Sequence, residues 1–367
     1  MTQKHPRLLI DAHLDLAWNA LSFNRDLTLE LDELRRCEAH MTDEPSRGNA
    51  TTSLPEMRRA GVAVCVATLL ARSSPGHRPQ NSYSRIDLEY ANQSIAHAMA
   101  KGQRAYYRQL EDQNEICLIR TAGELDTHWR RWQQNHSKRP PIGVILSMEG
   151  ADPIVDPDQV DQWWDEGLRA VGPVHYGKSH YAAGTGATGP LTEKGLKLLR
   201  CFERVGMILD VTHFCDESFF LAMDYFGGAV LASHHNCRRL VPGDRQLSDE
   251  QIKLLIERDA IIGAAFDAWM LYPDWVHGKT SPTVVGIDAA ADHIDYICQL
   301  AGSCRHCAIG TDLDGGFGNN QTPHDLRTIT DIQKLSTILA DRGYSNADID
   351  AIFHGNWLRF FENALPS

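Results

Sequence analysis

Histidines and carboxylates stand at the ends of apolar runs along this chain, in a pattern suited to holding metal ions. His13-Leu14-Asp15 places two metal-type side chains on one face of an extended strand, about 7 Å apart along the backbone and able to converge on one ion. Glu149 closes the apolar run Pro141-Ile142-Gly143-Val144-Ile145-Leu146-Ser147-Met148, where a buried carboxylate is costly unless a cation or a hydrogen-bond network meets it. His175, His213, one of His234 and His235, and one of Asp312 and Asp314 end similar runs. Chance scatter of 17 histidines accounts for one or two such placements, not for so many in succession.

Together His13, Asp15, Glu149, His213 and His234 can give each of two divalent metals three protein ligands if Glu149 bridges them, leaving each metal an open position for water. The charges agree. Two metals and a bridging hydroxide balance the carboxylates of Asp15, Glu149 and Asp312, which without metal would crowd together.

A shared site of this kind needs strands that all end at one rim. Eight β-rich runs meet that need: Leu8 to Asp15, Val62 to Leu70, Ile142 to Glu149, Leu168 to Tyr176, Met207 to His213, Ala229 to His235, Ala260 to Asp267 and Cys307 to Asp314. Most are almost continuously apolar, as parallel strands covered on both faces must be. Eight such strands alternating with helices predict an α/β fold, a (β/α)8 TIM-type barrel with its chemistry at one rim. The segment Leu191 to Phe202 has apolar residues at helical spacing with Gly206 as a stop, so it reads as a crossover helix. A last helix opens at Ser345, with Asp348 three residues on, and Ile349, Ile352, Phe353, Trp357, Phe360 and Phe361 form the apolar face that seals the barrel. Residues 16–60 and 71–140 are too long and polar for simple connections, and helical periodicity recurs around Leu88 to Leu110. They read as helical insertions within one domain spanning 1–367.

The chain of 367 residues is 43% hydrophobic and 23% charged, enough for a large core. Its net charge of -12 argues against a nucleic-acid or anionic-membrane partner and favours a small neutral or zwitterionic substrate. The longest apolar runs, Val62 to Ala71 and Ala260 to Phe266, fall short of the ~20 residues a membrane helix needs. Met1 to Pro6 leads directly into Leu8-Leu9-Ile10, and the chain ends Glu362 to Ser367, neither with a long apolar segment, so a cytoplasmic location is expected. Nine cysteines, several inside apolar stretches, indicate no disulfide framework. Cys304-Arg305-His306-Cys307 has no second pair and reads as structural, and Gly184 to Gly189 lacks a phosphate-loop ending and reads as a flexible rim loop.

The sequence resembles the membrane (renal) dipeptidases, zinc peptidases of the metal-dependent amidohydrolase superfamily, nearly end to end. The resemblance rests on Asp11-Ala12-His13-Leu14-Asp15-Leu16, Ser147-Met148-Glu149-Gly150, Leu191 through Gly206 to His213, Ser233-His234-His235-Asn236, Ile309-Gly310-Thr311-Asp312-Leu313-Asp314-Gly315 and Gly355-Asn356-Trp357-Leu358-Arg359-Phe360-Phe361. It implies that His13 and Asp15 bind one zinc, His213 and His234 the other, and that Glu149 bridges. It also implies that His234 rather than His235 is the ligand, that Asp312 is the catalytic carboxylate and Asp314 structural, that His175 contacts the scissile carbonyl, and that Arg245 takes the substrate carboxylate. An arginine fork suits that partner because it donates two parallel hydrogen bonds.

Two segments depart from the family pattern. Val174-His175-Tyr176-Gly177-Lys178-Ser179 lacks the asparagine of the family's Thr-His-x-x-x-Asn, with His180 as a competing assignment, and Ala265-Phe266-Asp267-Ala268-Trp269-Met270-Leu271-Tyr272 replaces the usual Asn-Phe-Tyr and its carboxylate-binding tyrosine. The expectation is a binuclear zinc dipeptidase that hydrolyses dipeptides through the bridging hydroxide, possessed of two Zn2+ per chain, with a homodimer implied by the family alone. The alternatives are a metal-dependent hydrolase of N-acyl amino acids, lactams or other small amides, and a non-catalytic binding barrel, whose expected loss of ligands is not seen.

Overall fold

The computed structural model describes residues 6–77, 84–134 and 140–367. All eight expected strands form, and all run parallel: β1 (Leu9–Leu14), β2 (Val62–Leu70), β3 (Ile142–Glu149), β4 (Leu168–Gly172), β5 (Ile208–Asp210), β6 (Val230–Leu231), β7 (Ile262–Ala264) and β8 (Cys307–Ile309). Ladders join β1 through β6 in chain order and β7 to β8. An isolated bridge between Ala232 and Ile262 carries the sheet from β6 to β7. The ring closes between β8 and β1 where the Asp312 N–H donates to the His13 carbonyl at 3.3 Å. The fold is the (β/α)8 barrel that the apolar runs predict.

The strands are shorter than the apolar runs that announce them. From β4 onward the ladder stops three or more residues before the site residue, so His175, His213, His234 and Asp312 stand on the loops beyond. Beyond β5, β6 and β8 part of the backbone bonds to buried carboxylates rather than to a neighbouring strand. Asp210 Oδ1 accepts the N–H groups of Thr212 (3.0 Å) and Ser233 (3.1 Å), and Asp11 Oδ1 accepts those of His13 (3.2 Å) and Thr311 (2.9 Å). These bonds pair the N–H groups of Thr212, Ser233 and Thr311 where the chain leaves the ladder.

The crossover helix runs Glu193–Val205, opened by the Thr192 hydroxyl accepting from the Gly195 N–H and closed by Gly206 in the left-handed conformation (φ 81°). Ser345 and Asp348 form the expected capping box, but the last helix is divided into Asn346–Asp350, a π-turn over Ala351–Gly355, and Asn356–Ala364. Trp357 from that final segment donates its indole N–H to the Ile309 carbonyl at 2.9 Å, fixing the helix to β8.

The first insertion is helical over Leu16–Ser22, Leu31–Glu38 and Leu54–Ala60, the second over Gln93–Asp112 and Ala122–Gln134. The second also holds strands that helical periodicity does not reveal. Ile116–Leu118 pairs with β3 outside the ring, and Arg72–Ser73 pairs with Glu89–Tyr90. Part of the polar stretch from Ser73 to Ser84, and the amino-terminal Met1 to His5, lie outside the described residues. One contiguous cluster of buried apolar side chains extends from Leu9 to Leu365. No helix among the described residues is long and apolar enough to cross a membrane.

Candidate metal centre

Glu149, the last residue of β3, is the hub of the site. Its Oε1 lies 3.2 Å from His213 Nε2 and 3.4 Å from His234 Nε2, while its Oε2 lies 3.5 Å from His13 Nε2. Asp15 and Asp312 each place an oxygen 3.8 Å from the same His13 nitrogen. The ligand atoms fall into three overlapping sets, each within 4.8 Å: His13, Asp15 and Glu149; Glu149, His213 and His234; and His13, His234 and Asp312. All five ligands expected from the sequence are therefore brought together, with Asp312 beside them.

Hydroxyl groups behind the ligands fix the rings. The Ser233 hydroxyl faces Nδ1 of both His234 (2.9 Å) and His13 (3.4 Å), and Thr185 Oγ1 lies 3.1 Å from His213 Nδ1. Thr68 donates its hydroxyl proton to Asp15. With Nδ1 occupied in this way, each Nε2 is turned to the centre, the nitrogen whose lone pair a neutral histidine ligand offers a metal. The roles of Ser233, Thr185 and Thr68 are not legible in the sequence, because a hydroxyl behind a ligand leaves no spacing signature.

Thr185 also corrects the reading of Gly184 to Gly189 as a flexible rim loop. Tyr176 and Thr185 form a bridge, Gly184 forms another with Phe214, and both Gly184 and Thr185 are buried. A methyl group on Gly184 would overlap the His175 carbonyl oxygen, so glycine is required by close packing between two site loops.

His175 belongs to the centre, its Nε2 3.8 Å from Glu149 Oε1, whereas His180 pairs with Asp152 at 2.8 Å away from it. Arg245 is a buried side chain, not a solvated loop charge. Its Nη2 donates to the His234 carbonyl at 3.0 Å, its Nη1 lies 3.3 Å from His235 Nδ1, and no carboxylate among the described residues is within ion-pair distance. Asp314 accepts the N–H and hydroxyl groups of both Thr51 and Thr52 and has a structural role. The Cys304 to Cys307 segment ligates nothing among the described residues. Cys304 donates to Asp348, and the Cys307 and Cys298 sulfurs are 3.3 Å apart.

Electrostatics show that the donor set fits cations. Burial and the charge of Glu149 push Asp15 up to about 7, and burial with Glu149 and Asp15 beside it puts Asp312 well above the usual carboxylate range. Burial opposes a charge on His13, yet Glu149, Asp15 and Asp312 together raise it to about 10. Burial drives His213 and His234 well down and His175 to about 3, so these three are neutral and able to act as ligands or hydrogen-bond groups near pH 7. Protons on His13 and the acids hold together carboxylates that would otherwise repel. His13 Nε2 is buried with no hydrogen-bond partner. A divalent cation between that nitrogen and the carboxylates satisfies both.

A parallel barrel carrying clustered histidine and carboxylate ligands where its strands end is the architecture of a metal-dependent hydrolase. The sequence matches the membrane dipeptidase family, peptidase family M19, over residues 3–365, and the chain belongs to that family of metallopeptidases. It is 26% identical over 231 residues to an uncharacterized protein in the pqqA 5' region of Klebsiella pneumoniae, covering 60% of this chain and 82% of that one. It is 28% identical over 223 residues to the dipeptidase aclJ of Aspergillus oryzae, covering 59% of this chain but only 50% of that protein. Its fold is that of the dipeptidase AC, an M19 metallopeptidase (TM-score 0.78, 21% identity, 99% of this chain and 100% of that one). A metallopeptidase from Rhodobacter sphaeroides, liganded with a phosphinate mimic of the dipeptide L-Ala-D-Ala, is similar to the same degree (TM-score 0.77, 21% identity, 98% and 99%).

Proposed function

We propose that the protein is a binuclear zinc dipeptidase that hydrolyses the peptide bond of free dipeptides. The observation that carries this reading is the position of Glu149, whose two oxygens face different ligand sets, His13 with Asp15 on one side and His213 with His234 on the other. Zinc ions held by those sets would supply a bridging hydroxide as nucleophile near neutral pH and a Lewis acid for the scissile carbonyl.

The remaining roles fall to residues of the chain. His175, neutral because burial holds it near 3, donates an N–H to the carbonyl oxygen as negative charge develops there. Asp312, beside His13, takes a proton from the attacking water and delivers it to the leaving amine. Arg245, buried and unpaired by any acid among the described residues, holds the substrate's free carboxylate. Using the terminal carboxylate as an anchor limits the substrate to short peptides. A cytoplasmic location and a homodimer, the second implied by family resemblance, complete the proposal, and fractionation and light scattering test them.

The decisive assay is release of free amino acids from a panel of L,L and L,D dipeptides by protein stripped of metal and reloaded with two equivalents of zinc. Zinc-dependent cleavage is expected. If the reloaded protein binds two zinc ions yet cleaves none of the panel, the dipeptide reading fails and N-acyl amino acids and other small amides become the substrates to try.

A further inference from the structure

Arg245 is not the only charged side chain in the cavity beside the metal ligands. Asp267, three residues beyond Ala264 at the end of β7, lines the same cavity of about 110 Å³ as Glu149, Arg245 and Asp312. It is 5% exposed. Its two oxygens accept from Gln321 Nε2 at 2.9 and 3.0 Å, and Oδ1 also accepts from the Trp269 N–H at 3.3 Å. The Gln321 amide cannot turn freely to offer its oxygen instead, because that oxygen is engaged by His277 Nδ1. Asp267 is thus held as an acceptor, by neutral donors only.

No cation among the described residues lies within ion-pair distance of Asp267, and Arg245 spends its hydrogen bonds on the His234 carbonyl and His235. One cavity therefore carries a fixed cation and a fixed acid that are not bonded to each other. Burial pushes Asp267 up to about 7 against the lowering effect of its Gln321 and Trp269 hydrogen bonds and of the Arg245 charge across the cavity, so these partners do not offset the desolvation of the carboxylate. A ligand that satisfies both groups needs a carboxylate for Arg245 and a cation for Asp267.

We propose that Asp267 is a specificity-determining residue that selects dipeptides whose second residue carries a cationic side chain of the lysine or ornithine kind. This rests on the dipeptidase reading, in which Arg245 holds the terminal carboxylate. The second residue's side chain leaves the same carbon as that carboxylate, within the cavity that Arg245 and Asp267 both line. An aliphatic side chain would leave the acid desolvated and unpaired, an acidic one would repel it, and an ammonium group supplies the missing charge. Trp18, Trp269 and Met270, which line the same cavity, offer apolar surface for the methylene stem.

The test compares kcat/KM for L-Ala-L-Lys, L-Ala-L-norleucine and L-Ala-L-Glu in the zinc-loaded protein and in Asp267→Asn. Calorimetric binding of phosphinate mimics of Ala-Lys and Ala-norleucine accompanies it. The wild type is expected to prefer lysine over norleucine by about ten-fold or more, equivalent to roughly 1.4 kcal/mol, in both cleavage and binding, and to disfavour glutamate. In Asp267→Asn the ratio should fall to about one. Because the readout is a ratio within one preparation, a loss of folded protein cancels. Equal treatment of lysine and norleucine by the wild type, or a preference that survives in Asp267→Asn, overturns the proposal while leaving the dipeptidase reading intact. If no dipeptide is cleaved and neither mimic binds, that reading fails and takes this proposal with it.

Discussion

Ser233 offers the sharpest test of how the centre is held. His13 and His234 both point Nε2 toward Glu149, so each neutral ring must carry its proton on Nδ1 to act as a ligand. Both Nδ1–H groups then converge on the lone pairs of one oxygen, Ser233 Oγ, at 3.4 and 2.9 Å, and the serine's own proton goes to Thr212 Oγ1 at 3.2 Å. Ser233→Ala deletes the acceptor for two buried N–H groups that belong to different ligand sets. Losing such an outer partner typically lowers metal affinity 10–100-fold, in line with the roughly 1–3 kcal/mol cost of a buried donor left unpaired. The 2.9 Å bond is the better formed, so the set containing His234 should weaken by about 100-fold and the set containing His13 by about ten-fold. Stepwise zinc dissociation constants from chelator competition measure both. Thr185→Val, which removes the partner of His213 alone, should weaken only one step. Two unchanged constants in Ser233→Ala, or a larger loss on the His13 side, would refute the assignment of ring protons.

Four further outcomes are expected. Asp312→Asn should retain two zinc ions by elemental analysis while turnover falls about 100-fold, the usual scale for loss of a general acid–base group. Arg245→Ala should raise KM for free dipeptides by roughly 10–100-fold, as for a lost charge-assisted contact, and equal effects on carboxy-amidated substrates would remove its assigned role. Gly184→Ala should lower stability by about 1–3 kcal/mol in denaturant titration, because the added methyl group overlaps the His175 carbonyl. Asp267, held near 7 against an ordinary 3.8, binds its proton more tightly in the folded than in the unfolded chain, so its contribution to stability declines as pH rises through that interval. The full difference is worth up to roughly 4 kcal/mol, of which about 2.5 kcal/mol falls between pH 5 and pH 8, so stability measured by denaturation at those two pH values should decline by about that much less in Asp267→Asn than in the wild type.

The barrel was legible because each of its strands is buried on both faces and so appears as an apolar run, even β6, where only Val230 and Leu231 form a regular ladder. Strand lengths were not legible, since an apolar residue in a turn packed on the core looks the same as one in a strand. The five ligands could be read together because histidines and carboxylates after apolar runs are rare individually and share a direction in a parallel barrel. Arg245 is different. Its sequence surroundings are those of a loop, only family resemblance singled it out, and its burial comes from contacts with His234 and His235 that no local pattern encodes. The same limit hides Thr185, brought beside His213 across 28 positions. Asp267 was visible as a departure from the family pattern, but the absence of a counter-charge is a property of three dimensions.

Buried acids in this protein divide by what they accept, and the division separates those that hold the fold from those that hold the chemistry. Asp314 receives backbone and hydroxyl donors from Thr51 and Thr52, and Asp11 and Asp210 receive backbone N–H groups from loops after neighbouring strands. Fixed donors of the fold meet these carboxylates, and Asp314 also has the Arg25 guanidinium at 3.9 Å. No backbone N–H among the described residues is hydrogen-bonded to the Glu149 or Asp312 carboxylates, which both face His13. Asp314 (φ 63°) and, at the site itself, His213 (φ 70°) and Asp312 (φ 60°) adopt the left-handed backbone conformation, which costs a side chain-bearing residue about 1–2 kcal/mol. The two site residues are kept there by specific bonds: Thr185 Oγ1 donates toward the His213 carbonyl, and the Asp312 N–H donates to the His13 carbonyl. Charge conflict and backbone strain thus coincide where cations would bind, so removing metal should loosen these rim loops before it affects the strands beneath them.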